Sequence, residues 1–163
     1  MIPMIEKRAA AVLGALLVVS SLSPALADSA KKLGAFVPFP GSWPATLVAV
    51  EASNQIRLKT NIWDQDRTFL VTLPGLVVPS SRPGVPLCER ELAASGRQFA
   101  EQFLRAAEKI ELSELRMMSS VASDASSPVV TEHGGLADAL IKAGYARAQG
   151  SANGPWCQSA AAN

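Results

Sequence analysis

The feature that most constrains the fold is a run of three strand-like segments between residues 46 and 73, joined by short turns. The middle segment, QIRLKTNIW at residues 55–63, alternates apolar and polar side chains. Ile56, Leu58 and Ile62 lie on one face, and Arg57, Lys59 and Asn61 on the other. A period of two indicates a half-buried antiparallel strand. Together with the flanking segments 46–50 and 68–73, it predicts a meander, which commonly closes into a small barrel.

The rest of the chain predicts two helices and two further strands. Residues 87–108 show the pattern of an amphipathic helix, and residues 109–115 alternate again as a strand does. Residues 119–127 are small and polar and predict a loop, residues 129–131 predict a short strand, and residues 134–144 predict a second helix. The order β-β-β-α-β-β-α predicts an α+β, mainly β fold, in which two helices cap a five-stranded OB-type barrel.

The N-terminal residues 1–27 have the features of a signal peptide. Lys7 and Arg8 precede an apolar stretch at residues 9–22, and Ala25-Leu26-Ala27 is a small-x-small cleavage site. The alternative is an uncleaved membrane anchor, but these 14 residues fall short of the roughly 20 that span a bilayer. We therefore expect export to the periplasm or the extracellular space, without stable membrane insertion.

Composition divides the remaining chain into three parts. Residues 28–44 are rich in Pro, Ser and aromatic residues and predict an extended lead-in that packs across the barrel. The alternative is an aromatic binding patch; its members would be Phe36, Phe39 and Trp43. We expect the barrel domain to occupy residues 45–157 and residues 158–163 to form a disordered tail.

Charge and cysteine content narrow the class of protein further. Without residues 1–27, thirteen basic and thirteen acidic residues remain, and this neutral balance argues against a protein whose affinity comes from binding phosphates. The two cysteines, Cys88 and Cys157, favour a disulfide in an exported chain, although two separate buried thiols are the alternative. Neither has a Cys or His at metal-ligand spacing, so we expect no zinc site.

Five segments in order give the chain a resemblance to a known family. They are IRLKTNIW, LVTLPGLVVP, CERELAASGRQFAEQFL, GGLADALIKAGYARAQG and GPWC. Together they resemble the staphylococcal-nuclease-like (thermonuclease) domain in its secreted bacterial form, over residues 43–157. The resemblance implies a nuclease fold that binds Ca²⁺, and it supports a Cys88–Cys157 disulfide.

The same resemblance implies that the catalytic residues have been replaced. Active members carry Asp-Gly-Asp-Thr after the first strand, and here Asn54 stands at the metal-binding Asp. They then carry an Arg followed by Gly-x-Asp-x-Pro-Glu. In this chain Thr72 stands at the Arg, Val77 at the second metal-binding Asp and Ser80 at the general-base Glu. No arginine stands at the expected depth of the second phosphate-binding position. We therefore expect an inactive homologue with no cofactor, its ancestral Ca²⁺ site lost.

The replacements leave a neutral face on the barrel. The predicted ligand face comprises Thr72, Val77, Val78 and Ser80. Being apolar and rich in hydroxyls, it suits a protein, a peptide or a small uncharged ligand better than a phosphate chain. The alternative is a residual nuclease or a nucleic-acid binder that does not cleave. Its basic contacts would be Arg57, Lys59 and Arg67.

Other residues with catalytic chemistry have simpler explanations. Asp64 and Asp66 could chelate Ca²⁺, but a solvated hairpin turn is the more common use of this spacing. His133, the one histidine, could act as a general base, but a loop histidine is the default interpretation. Glu89 and Glu91 suit the start of the helix dipole and need no catalytic role.

Overall fold

The computed structural model describes residues 37–119, 121–151 and 154–157. The predicted signal peptide, most of the lead-in and the predicted tail at residues 158–163 lie outside these residues. The elements, in chain order, are β1 (Val37–Ala52), β2 (Gln55–Ile62), β3 (Gln65–Thr72), β4 (Leu76–Val77), α1 (Leu87–Arg105), β5 (Ile110–Met117), β6 (Asp124–Ser126), β7 (Val129–Thr131), β8 (Gly134–Gly135), α2 (Leu136–Lys142) and β9 (Arg147–Ala148).

Five strands close into a barrel. The order is β1-β2-β3-β6-β5, and β5 pairs back to β1. The β3–β6 pair is parallel and the other pairs of the barrel are antiparallel. Short strands β7 and β8 extend the sheet from β5, and the two helices complete the fold. The predicted fold class is confirmed: the chain is α+β, mainly β, with a five-stranded OB-type barrel and two helices.

Strand β1 is longer than predicted because two neighbours share it. Its first half, from Val37 to Ala45, pairs with β5, and its second half pairs with β2. The register shifts between Phe39 and Ser42 in the first pairing and twice more in the second. Such bulges bend a strand sharply, and a closed barrel requires that bend. The strand therefore begins within the segment that we predicted as the lead-in.

The β2–β3 hairpin turns on two residues, Trp63 and Asp64. Both have positive φ, 53° and 59°, which is the backbone of a type I′ turn. This turn matches the right-handed twist of the two strands, which pair without interruption from Gln55–Thr72 to Ile62–Gln65. Strand β3 consequently begins at Gln65, earlier than the predicted residue 68.

The barrel interior holds the hydrophobic core. The three apolar residues of β2 are fully buried, as the alternation predicted. Helix α1 covers the barrel through Gly96, Ala100 and Leu104, while Phe99 and Phe103 pack at its sides. In β5, Leu112 and Leu115 are both buried although they are three residues apart. The positive φ of Glu114, 50°, marks the irregularity that shifts the alternation between them.

The loop predicted at residues 119–127 is wrong in its second part. Residues 124–126 form β6, which closes the barrel by pairing with Leu70–Thr72 of β3 and with the end of β5. The predicted strand at residues 129–131 exists as β7, and it pairs further along β5. The sequence Asp-Ala-Ser has little strand propensity, so the neighbouring strands impose the conformation.

No helix in the described residues is long and apolar enough to cross a membrane.

Candidate functional site

The predicted disulfide is present. Cys88 and Cys157 are joined by an S–S bond of 2.02 Å, 69 residues apart in sequence. Arg147 holds the same C-terminal segment: its guanidinium donates to the carbonyls of Gly154 and Pro155. Its Cζ also lies 4.0 Å from the ring centroid of Trp156. The bridge and the arginine together fix the tail against the start of α1 and against β9.

Asn54 and Thr72 lie close together; with Val77 and Ser80 they are the four positions that the resemblance implies to be replaced, called the replaced positions from here on. Asn54 ends the turn between β1 and β2, and its carbonyl accepts a 2.9 Å hydrogen bond from the Leu73 amide. Thr72, at the end of β3, pairs with Gln55 on one side and with Ser126 of β6 on the other. The strand pairing of the barrel therefore brings an amide and a hydroxyl side chain to one end of β3.

Val77 and Val78 are held by packing and by main-chain pairing. Val77 lies in β4 and pairs with Arg147 of β9, and the Gln149 amide donates to the Gly75 carbonyl at 2.8 Å. Val78 is half-buried and packs against the core. Part of the predicted ligand face is thus occupied by contacts within the chain.

Ser80 is tied to the first turn of α1. Its backbone N–H donates to Oε1 of Glu89 at 2.9 Å, and its hydroxyl accepts from the Arg82 amide at 3.2 Å. A carboxylate therefore does reach one replaced position, but it comes from the helix and binds the backbone. No local pattern predicts this contact, because residues nine apart are brought together only by the path of the loop.

The side chains at the four replaced positions are one amide, two hydroxyls and one aliphatic group, from Asn54, Thr72, Ser80 and Val77. Among the described residues, no three His, Cys, Asp or Glu side chains lie close enough together to hold a metal ion. Hard cations such as Ca²⁺ require six to eight oxygen ligands, with carboxylates supplying the charge. The residues at these positions do not fit such an ion.

The three basic residues of the alternative hypothesis already have partners. Arg57 pairs with Glu51 at 3.1 Å, and Lys59 pairs with Asp66 at 2.7 Å. Arg67 donates to a backbone carbonyl at 3.0 Å, and its Cζ lies 4.8 Å from an aromatic ring centroid. A phosphate bound at these residues would have to compete with those contacts.

Asp64 and Asp66 belong to the hairpin. Asp64 is one of the two turn residues, and Asp66 accepts hydrogen bonds from Lys59 and from Asn61. The hydrogen bond and the charge of Lys59, with the Asn61 hydrogen bond, lower the pKa of Asp66. This pair of acids is therefore placed as the hairpin interpretation predicted.

His133 lies beside the Glu132 carboxylate, which links the β7–β8 turn to the connection between α1 and β5. Its Nε2 is 3.2 Å from Oε1 of Glu132, and Glu132 accepts hydrogen bonds from the amides of Glu108 and Lys109. Backbone hydrogen bonds, the Glu108 amide first, lower the pKa of Glu132. Both side chains thus lie where the end of α1 meets the β7–β8 turn.

A pocket that sequence reasoning missed lies next to the replaced positions. It has a volume of about 190 Å³ and is formed by residues 51–53, the loop at residues 79–81 and residues 93–97 of α1. No local pattern could have revealed it, because three segments distant in sequence form its walls.

No family model matches the chain, and no curated protein matches it in sequence. The fold assignment rests on the strand order and on the parallel β3–β6 pair.

Proposed function

We propose that the chain is an exported, non-catalytic relative of staphylococcal-nuclease-like proteins that acts by binding another molecule. The observation that carries the proposal is the set of neutral residues at the positions where active members hold Ca²⁺ and the scissile phosphate. Asn54, Thr72, Val77 and Ser80 supply neither a cation nor a carboxylate. The OB-type barrel supports the resemblance at the level of fold.

The chemistry of phosphodiester cleavage explains why the replacements matter together. A bound metal ion stabilises developing charge and organises the attacking water. Removing one preorganised charge-stabilising group alone typically lowers the rate by a factor of about 10²–10³. With two metal ligands, the general base and the phosphate-binding arginines replaced together, no part of that mechanism has a residue to perform it.

Export is the second element of the proposal. The basic residues, the apolar stretch and the Ala25-Leu26-Ala27 site of residues 1–27 support it. The Cys88–Cys157 disulfide also favours an oxidising compartment, since such bonds are rare in the cytosol. Mass spectrometry of the protein recovered from its native compartment should give an N-terminus at Asp28; an intact Met1 would contradict export with cleavage.

The ligand of this barrel is a protein, a peptide or a small uncharged molecule in our proposal. The side chains at the four replaced positions are themselves half-buried and neutral, and the cations Arg57 and Lys59 are paired with acids. Both features favour a partner without phosphate groups. Val77 and Val78 would contribute apolar contact, and Thr72 and Ser80 hydroxyl groups.

A nuclease assay tests the proposal directly. The purified protein is incubated with single-stranded DNA and with RNA in the presence of Ca²⁺, beside a mock preparation from cells without the gene. We expect no cleavage above the mock. Cleavage that a chelator abolishes and that the mock lacks would overturn the proposal.

The same preparation tests the nucleic-acid-binding alternative. Fluorescence anisotropy with labelled single-stranded DNA should show no saturable binding at about 0.1 M salt. Binding that weakens steeply as salt increases would favour the alternative, because phosphate contacts release counterions. The Arg57→Gln and Lys59→Gln variants would then identify the contacts, with Arg105→Gln on α1 as a charge-matched control.

A further inference from the structure

The pocket beside the replaced positions is closed on one side by a tight helix contact. Gly96 of α1 faces the β1–β2 turn so closely that a Cβ there would lie 3.3 Å from Cβ of Ser53. The neighbouring pocket-lining residues of the helix, Ala93 and Ala94, are small and leave the space open. Pro79 and Ser81 form the opposite wall. The result is a small, defined cavity on the barrel surface.

A buried hydroxyl opens into this pocket. Ser53 is only 2% exposed, and it lines the cavity. Its side chain makes no hydrogen bond to any other residue that the structure describes. Among the described residues, the buried side-chain polar atom without a partner is Nε1 of Trp43, so the Ser53 hydroxyl is reached by the solvent of the pocket. It can therefore donate to a molecule that enters there.

A guanidinium lines the same pocket. Arg97 makes one hydrogen bond, 3.4 Å long, to the carbonyl of Val50, and it has no carboxylate partner within the described residues. Guanidinium groups carry five donors in a planar fork that matches a carboxylate.

The size of the pocket and its remaining charge select the ligand. About 190 Å³ holds the volume of roughly six water molecules, which is too small for a nucleotide. Glu51 also lines the pocket, paired with Arg57 at 3.1 Å. A dianion would be repelled by Glu51 about twice as strongly as a monoanion at the same distance. Arg97 would also attract a dianion about twice as strongly, so the comparison depends on the balance of charge in the site. Among the residues that the structure describes, Arg97 is the one cation that lines the pocket, and it balances a single negative charge, whereas a phosphate dianion would leave an excess charge beside Glu51.

We propose that this pocket binds a carboxylate group, with Arg97 as the fork and the Ser53 hydroxyl as the second donor. The carboxylate belongs either to a small organic acid or to the C-terminus of a peptide. This pocket borders the neutral face described above, but none of Thr72, Val77, Val78 and Ser80 lines it. It does not depend on the loss of nuclease activity, and the two proposals can fail independently.

The test is an NMR titration of the purified protein labelled with ¹⁵N, at constant ionic strength. The probes are butyrate, N-acetyl-Ala-Ala with a free C-terminus, the same dipeptide as its C-terminal amide, and inorganic phosphate. We expect saturable shifts for both carboxylates at residues 51–53, 79–81 and 93–97. The amide should bind about tenfold more weakly, since it lacks the charge that the guanidinium recognises.

The relative affinities of the probes identify the source of the carboxylate. Equal affinity for butyrate and the free dipeptide supports a small acid, and tighter binding of the dipeptide supports a peptide C-terminus. Phosphate that binds more tightly than either carboxylate would overturn the assignment of a monoanion. Equal binding of amide and acid, or no saturable shift, would overturn the site.

Two variants and a control tie the effect to named atoms. Arg97→Gln should weaken carboxylate binding by about tenfold, and Ser53→Ala by a smaller factor, because a neutral donor contributes less than a charged one. Arg105→Gln, on the same helix but away from this pocket, should change the affinity by less than about twofold. Arg97 is exposed, so its variant folds even if Ser53→Ala does not. Equal weakening by Arg97→Gln and Arg105→Gln would reduce the effect to net charge and overturn the proposal.

Discussion

Replacing both cysteines, Cys88→Ser/Cys157→Ser, tests how much of the stability comes from the bridge. The bridge spans 69 residues, and for a loop of that length the chain-entropy model gives about 4 kcal/mol of stabilisation through the unfolded state. The variant loses this full stabilisation only if the C-terminal tail keeps its position in the folded state. Two hydrogen bonds and a cation–π contact from Arg147 hold it there. We therefore expect a loss of about 3–4 kcal/mol and a Tm lower by about 10–20 °C.

Urea unfolding followed by circular dichroism measures this loss. The wild-type protein, denatured without reductant, should show no thiol reactive to a chromogenic disulfide reagent. The Arg147→Lys change should cost more in the Ser/Ser background than in the wild type, since there it removes the main remaining anchor of the tail. A Ser/Ser variant within about 1 kcal/mol of the wild type, with an unchanged m-value, would refute the loop-closure argument.

Three further substitutions test individual contacts by urea unfolding. Gly96→Ala should lower stability by about 1–2 kcal/mol, because a Cβ would lie 3.1 Å from Cβ of Tyr145 and this outweighs the helix-propensity gain; a more stable variant would show that the helix can shift. Ser127→Ala should cost about 1 kcal/mol, since the buried hydroxyl donates to a backbone carbonyl at 2.7 Å; no loss would mean that the bond contributes nothing. Glu132 has a pKa below its ordinary value of 4.5, chiefly through the Glu108 amide, so its contribution is present above pH 4.5 and is lost as the pH falls through the folded-state pKa. Glu132→Gln should reduce the loss of stability at acid pH. An unchanged loss would contradict the role assigned to Glu132.

The parts of the fold that follow a local pattern could be predicted from the sequence. Ile56, Leu58 and Ile62 alternate with polar residues, and all three are fully buried. Strand β6 could not be predicted, because Asp-Ala-Ser carries neither alternation nor strand propensity. It becomes a strand because it lies between β3 and β5 and forms backbone hydrogen bonds with both. Local patterns therefore predict strands that bury a side-chain face, but not a strand recruited by its neighbours.

In the candidate site, too, one feature could be predicted from the sequence and another could not. The cysteine pair was predicted from count and expected compartment, because an even number of cysteines is a property of the sequence itself. The pocket at Ser53 and Arg97 was not, because it depends on how closely α1 approaches the β1–β2 turn. Gly96 permits that approach. Within the helical pattern, however, the glycine indicated only a slightly weaker helix.

The segment at residues 73–81 is held by contacts within the chain. A loop that depended on a bound ion for its shape would have few such contacts. Instead β4 pairs with β9, the Ser80 amide binds Glu89, and β9 carries the arginine that holds the disulfide-linked tail. Loop, helix start and tail are thus joined by main-chain and covalent contacts that need no ion. The shape of this segment therefore rests on contacts that do not involve the side chains of Asn54 and Thr72, as the proposed binding role requires.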